Sequence, residues 1–412
     1  MDADVTDSAG TPDDEPQTDA QDTDPSSAAP EPPNRRKRHW VRWAALGVAF
    51  LVLVAAGAGW WFYNKLDHNI RTDNTATAEL RAYEKERPAP VANGAENILL
   101  IGSDSRAGDN KKYGRDEGSQ RSDTTILLHL STDKKNATAV SLPRDLMSHV
   151  PSCITANKTR TKKQFVQFNW AYEFGGTACT VRTVENMTGI RIDHYMVVDF
   201  NGFKGMVDAV DGVEVCLKKP VDDKDAHLKL PAGRQTLNGE QALGYVRVRH
   251  SIGNGSDTER MQRQQEFLGS LVKKVQSNGV LLNPTRLYPV LDAATKSLTT
   301  DPGLDTLKDL YDLTRRLRGI PTDRVQFLTV PREPYTANRN RDQLVQPDAN
   351  RLFKRLRDDD PVTVTKGSTG TFAGTPGAES TAGAAGAGGK GKPPPSPQAT
   401  FPGTNAAAAA CG

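Results

Sequence analysis

The sequence predicts an α/β protein: one mixed sheet with helices on both faces, behind a single membrane-spanning helix. Short apolar strand runs alternate with helical runs from about residue 97 to residue 330, the order of a layered sheet rather than of a bundle or an all-β sandwich. Residues 43–63 carry no charge and are long enough to cross a bilayer. Both ends are compositionally biased, so the 412 residues reduce to one folded domain of about 260.

From the N-terminus, residues 1–34 contain no Lys or Arg and are rich in Asp, Pro, Ser and Thr. Such a segment cannot bury enough apolar surface to fold, and residues 1–39 read as a disordered acidic cytoplasmic tail. Arg35 to Arg38 and Arg42 precede the apolar stretch and set its N-terminus inside, while Trp40, Trp43, Trp60, Trp61 and Tyr63 bracket it as interfacial belts. A cleaved signal peptide using Ala56-Gly57-Ala58 is the competing reading, and the long polar leader and the Trp60-Trp61 pair argue against it. Residues 40–63 are therefore expected to anchor the chain in the cell membrane, with everything after Tyr63 extracytoplasmic. Residues 64–95, ending in Pro88-Ala89-Pro90, read as a stalk. Residues 96–358 read as the catalytic domain, and 359–412 as a disordered Gly/Ala/Pro-rich tail.

Within the domain the expected strands are 97–101, 124–130, 137–142, 195–200, 213–217 and 325–330, and the expected helices 181–188, 203–210, 239–243 and 304–317. The pattern leaves strand direction open. Tyr245, Arg247 and Arg249 alternate with Val246 and Val248, which predicts a strand with guanidiniums on one face. Gly253, Asn254 and Gly255 break it, and Ser256 with Glu259 forms a capping-box start. The next helix has an apolar stripe at Phe267, Leu268, Leu271 and Val275, and Arg260 and Gln264 fall on the same stripe. Polar groups aimed at a core need a partner. Beside a helix N-terminus, with two further arginines, an anion such as a phosphate suits them best.

The acids lie at three successive strand ends: Asp104 with Arg106 in G-S-D-S-R, Asp123 with Arg121 in R-S-D-T, and Asp145 with Arg144 in S-L-P-R-D. Carboxylates with no His or Cys nearby suit a hard cation such as Mg²⁺. A carboxylate-held Mg²⁺ facing several arginines is the equipment of phosphoryl transfer on a diphosphate. The net charge of +3 hides an asymmetry: residues 1–42 hold ten acids and five bases, so the remainder carries +8 and suits an anionic partner. Nucleic acid is not expected, because the sole folded domain lies outside the cell.

Four cysteines fall outside the membrane, where disulfides persist. Cys153 and Cys179 flank a polar loop and are expected to pair. Cys216 lies in a strand and reads as a buried thiol, and Cys411 is unassigned. No C-x-x-C or His cluster suggests zinc or redox work. His194 and His250 read as structural.

These residues resemble the LytR-CpsA-Psr (LCP) family of cell-wall glycopolymer ligases over 97–275, with an extension to about 356. The motifs are N-I-L-L-I-G-S-D-S-R, R-S-D-T, S-L-P-R-D, F-N-W-A-Y-E-F-G-G, I-D-H-Y-M-V-V-D-F-N-G-F, L-N-G-E-Q-A-L-G-Y-V-R-V-R and S-D-T-E-R-M-Q-R-Q-Q. The resemblance implies an α/β/α sandwich with a hydrophobic tunnel for a polyprenyl chain. It also implies transfer of a glycan from a polyprenyl diphosphate to peptidoglycan, at a muramic acid 6-hydroxyl. By motif, Asp104 and Asp123 would hold Mg²⁺, and Arg144, Arg247, Arg249, Arg260 and Gln264 would grip the diphosphate, with Arg106 and Arg121 beside them. The positions of Cys153 and Cys179 resemble an actinobacterial subset. Gln167 departs from the pattern, standing where a lysine is common, and so does Asp211, which replaces the first Gly of a usual Gly-Gly turn. Asp104 and Asp145 are the candidates for deprotonating an acceptor hydroxyl. Two other readings fit the same residues: a pyrophosphatase acting on lipid-linked diphosphates, and a non-catalytic wall-polymer-binding or regulatory protein.

Overall fold

The computed structural model describes residues 35–90, 94–103, 122–248, 251–252, 257–277, 284–366 and 400–408. The chain divides into two compact units, residues 1–59 and residues 60–412. Helix α1, Arg35–Asp67, begins in the first unit and ends in the second, and from His39 it is long and apolar enough to cross a membrane.

In the second unit, β1 (Arg71–Thr72) leads into α2 (Asn74–Ala82), which is capped by the Asp73 carboxylate accepting from the Ala76 amide at 2.9 Å. β2 (Glu96–Ser103), β3 (Ser122–Leu130) and β4 (Ala137–Leu142) form an antiparallel meander. β5 (Met147–Val150) and β6 (Gln164–Gln167) pair as a hairpin before α3 (Trp170–Thr188). β7 (His194–Val198) and α4 (Phe200–Ala209) follow. β8 (Val213–Leu217), β9 (Val221–Asp223), β10 (Leu228–Leu230) and β11 (Gly233–Leu237) make two small ladders, β8 with β11 and β9 with β10. Helices α5 (Gly239–Arg247), α6 (Asp257–Ser277) and α7 (Pro284–Ser297) come next, then β12 (Leu298–Thr300) and α8 (Leu307–Arg318). The chain continues through β13 (Val325–Thr329), the hairpin β14 (Arg332–Tyr335) and β15 (Asn338–Leu344), α9 (Asp348–Arg357), β16 (Thr363–Lys366) and β17 (Thr400–Asn405).

The main sheet has the order β1-β12-β7-β2-β3-β4-β13-β17-β16 and is mixed: β2 runs parallel to β7 and antiparallel to β3, and β4 parallel to β13. Alternation along β2 sends Leu99 and Ile101 to one face and Ile98 and Leu100 to the other. The first face packs on α2, α3 and α9 through Leu80, Val181, Val184, Leu352 and Phe353, and the second on α6, α7 and α8 through Leu268, Ala294, Leu310 and Leu313. This is the expected α/β/α sandwich. A third cluster joins α4, α5 and the small ladders to α6 around Phe267.

Four expectations need correction. Residues 245–247 are not in a strand but close α5, whose start is fixed by a reciprocal capping box: Asn238 accepts from the Gln241 amide at 2.9 Å, and the Gln241 side chain accepts from the Asn238 amide at 3.1 Å. The segment read as a stalk joins the domain, with Ala76 and Leu80 in its core and β1 beside β12 in the sheet. The segment read as a disordered tail supplies two strands, β17 between β13 and β16, with Phe401 and Ala406 buried. Cys216, read as a thiol, is disulfide-bonded. Cys153 and Cys179 pair as expected, with Cα atoms 5.5 Å apart.

Candidate functional site: a cavity with an arginine mouth

The ends of β3 and β4 meet at one edge of the sheet, where Leu142 pairs with Thr125. Asp123 precedes the first pair and Arg144 follows the last, so they face each other, and Arg144 Nη1 donates to Asp123 Oδ1 at 2.9 Å. Pro143 fixes the chain leaving β4. Arg144 Nε also lies 3.3 Å from Asp145 Oδ2. Burial pulls the Arg144 guanidinium down, but Asp123, Asp145 and Asp257 outweigh it and hold it above its ordinary value. Asp145 is a hub. It accepts from Gln167 at the end of β6 and from Arg341 Nη1 in β15 at 3.2 Å, as well as from Arg144.

Helix α6 enters from the other face. Arg260, in its first turn, is 6% exposed and lies 2.9 Å from Asp257, while Gln264 one turn on donates to the Val246 carbonyl at 3.2 Å. The helix is moored by Gln265, which donates to Ser141 Oγ at 3.1 Å and Thr329 Oγ1 at 2.9 Å on neighbouring strands. Arg247, at the end of α5, has its guanidinium 4.9 Å from the centre of the Phe200 ring at the start of α4.

Asp123, Arg144, Asp145, Gln167, Phe200, Arg247, Arg260, Gln264 and Arg341 all line one cavity of about 1210 Å³. Its mouth carries Asp123, Arg144, Asp145, Gln167, Trp170, Arg247, Arg260, Gln264 and Arg341, and Asp199, Asp223 and Asp225 also line the cavity. Its walls are Phe267, Leu268, Leu271 and Val275 of α6, Val290, Leu291 and Ala294 of α7, and Leu310, Leu313 and Leu317 of α8. A charged mouth over an apolar chamber suits an amphiphile with a charged head. Of the residues singled out in the sequence, Asp123, Arg144, Asp145, Arg247, Arg260 and Gln264 come together here. Asp104, Arg106, Arg121, Arg249 and His250 lie outside the described residues. His194 is on β7, its ring on Asp301 at 3.1 Å. Arg341 and Trp170 were missed. Arg341 sits in the charge-rich run 338–342, which reads as a solvated face, and only the strand period linking it to Arg339 sets it apart.

No group of three or more metal-ligating side chains exists among the described residues. Asp123 offers one carboxylate at the mouth, and Asp104, the other acid expected to hold Mg²⁺, lies outside the described residues.

The LytR_cpsA_psr family profile matches residues 66–358. Among relatives, the chain is 32% identical over 337 residues to the cell wall biosynthesis protein LcpA of Corynebacterium glutamicum, covering 76% of this chain and 63% of LcpA. It is 33% identical over 265 residues to TagU of Enterococcus faecalis, a polyisoprenyl-teichoic acid–peptidoglycan teichoic acid transferase, covering 64% of this chain and 78% of TagU. The chain thus spans under two thirds of the length of LcpA. In fold it is similar to the LytR-Csp2A-Psr enzyme of Actinomyces oris, with a TM-score of 0.52 at 23% identity, over 66% of this chain and 96% of that one.

Proposed function

The chain belongs to the LytR-CpsA-Psr family, and from that premise we propose that it is a membrane-anchored phosphotransferase moving a glycopolymer from a polyprenyl diphosphate to peptidoglycan. The observation that carries this reading is the continuity of one cavity, arginine-lined at the mouth and aliphatic beyond it. A prenyl chain would lie between α6, α7 and α8, with its diphosphate among Arg144, Arg247, Arg260 and Gln264, and Arg249, Arg106 and Arg121 would add to that grip. Guanidinium forks fixed by Asp123, Asp145 and Asp257 need little reorganisation when charge builds on the phosphate oxygens.

In the proposed reaction a hydroxyl of the acceptor glycan attacks the phosphorus bearing the sugar. The bridging P–O bond breaks, and polyprenyl phosphate leaves along the chamber. The hydroxyl proton passes to a carboxylate at the mouth. Asp104 and Asp145 are the candidates, Asp145 accepting from Arg144, Arg341 and Gln167. Mg²⁺ held by Asp104 and Asp123 would neutralise part of the diphosphate charge. The apolar span of α1 would keep the site beside the bilayer that holds its lipid substrate, on its extracytoplasmic side.

The test is to incubate the purified full chain, in detergent, with a prenyl-diphosphate-linked saccharide, uncrosslinked peptidoglycan and Mg²⁺. The expected product is saccharide phosphodiester-linked to peptidoglycan. Full transfer by a folded variant lacking Arg144 and Arg247, or release of free saccharide phosphate alone, would sink the proposal.

A further inference from the structure

The β5–β6 hairpin has two unlike faces. In its antiparallel register His149 lies opposite Phe165 and Met147 opposite Gln167, so these four share one face. The other face is aliphatic and packed, with Val150 and Val166 in a small core beside the Cys153–Cys179 disulfide. The first face looks outward: Phe165 is 42% exposed, and its ring centre is 4.8 Å from His149. Across the neighbouring hairpin, Tyr335 of β14 stands edge-on to Phe165 at 6.0 Å. The two hairpins are tied by the Leu146–Asp342 bridge and by the hydrogen bond from the Asp342 amide to the Asp145 carbonyl at 3.1 Å.

This aromatic surface is continuous with the mouth. Gln167, two residues from Phe165 on the same strand face, reaches Asp145, and Arg341 reaches Asp145 from the hairpin that carries Tyr335. The patch is therefore neither an isolated exposed ring nor an aliphatic groove. Rings carrying a hydroxyl and an imidazole, with Arg339 and Asn340 exposed on the β15 strand of the second hairpin, match a ligand with apolar C–H faces and a polar rim. Pyranose rings have that character.

We propose that Phe165, Tyr335 and His149 form the acceptor platform, on which a glycan strand stacks two of its sugar rings and so presents a hydroxyl to the Asp145 side of the mouth. The proposal rests on the transferase reading for the identity of that glycan, but its binding step does not require turnover. The three residues are positioning residues, since none touches the reacting phosphorus.

Binding of a β-1,4-linked N-acetylhexosamine oligosaccharide to the full chain in detergent is measured by calorimetry, and acceptor dependence by the transfer assay. Phe165→Ala with Tyr335→Ala is expected to weaken binding about tenfold or more and to raise the acceptor KM by a similar factor while kcat holds. Phe165→Trp, which keeps a stacking face, is expected to retain binding and so separates lost stacking from lost folding. Wild-type affinity in the double variant, or no binding by the wild type, overturns the platform. Platform-dependent binding without any transfer would leave the platform standing and remove the transferase reading instead.

Discussion

Arg144 and Asp123 face each other across the ends of two paired strands, Nη1 to Oδ1 at 2.9 Å, with Asp145 on the other side of the same guanidinium. The fork is thus aimed by two carboxylates before any substrate arrives. Arg144→Lys cannot span both and should behave almost as Arg144→Ala. We expect either change to lower transfer by about 10²–10³-fold, the range for loss of one preorganised donor to a transition-state oxyanion. Product formation under single-turnover conditions checks this, with a melting curve alongside.

Ala294 lines the chamber from α7, where a larger side chain would fill space that the lipid needs. Ala294→Phe is expected to weaken a long prenyl diphosphate by at least about tenfold while sparing a short-chain analogue. Competition between donors of two chain lengths reads the effect, and equal loss for both would refute the assignment of this chamber to the chain.

The Cys153–Cys179 bond closes a loop with a sequence separation of 26 residues. Replacing both with Ala should cost about 3 kcal/mol in chemical denaturation. Gly175 packs on this bond: a Cβ there would meet Cys153 Cβ at 2.9 Å and Cys179 Cβ at 3.0 Å. Gly175→Ala should therefore destabilise by about 1–3 kcal/mol, and the cost should persist in the double-alanine variant, which keeps both Cβ atoms.

His194 gives stability a pH dependence. Burial pulls its imidazole down, but Asp301 at 3.1 Å, with Asp193 and Glu96, outweighs burial and raises it above 6.5. The fold thus prefers the protonated ring. Its contribution is complete below about pH 6.5 and disappears as pH climbs through the raised value. His129, lowered by burial despite Asp359, acts oppositely and loses stability as pH falls below 6.5. Asp301 also accepts from the Tyr195 and Gly303 amides, so Asp301→Asn should lose stability at every pH with a further loss on the acid side, and its His194 should titrate lower by NMR.

β2 and β4 were legible in the sequence as short apolar or β-rich runs, β8 by its alternation and α6 by its helical period. The stripe that carries Arg260 and Gln264 toward the apolar wall was legible for the same reason. Residues 245–249 misled because Val246 and Val248 alternate with larger polar side chains. Yet Leu243, Val246 and Arg247 all line the cavity, the three- and four-residue spacing of a helix, and the Asn238 cap decides the matter. β17 was hidden by Pro402 and Gly403, ordinary signals against a strand. Its neighbours override them: it is paired on both sides, and a Cβ at residue 403 would strike the Phe327 carbonyl at 2.4 Å. Arg341 reaches the mouth only because one hairpin lies against another, which no local pattern records.

The mooring of α6 by Gln265 turns that helix into a ruler. From Arg260 to Val275 the axial rise is about 22 Å, so head and tail of a bound lipid would be gauged by a single rigid object. An extra residue between them would swing the far stripe through about 100° and leave the chain facing solvent-side carbons. Length and phase, as much as the identity of any arginine, would then decide which lipids fit.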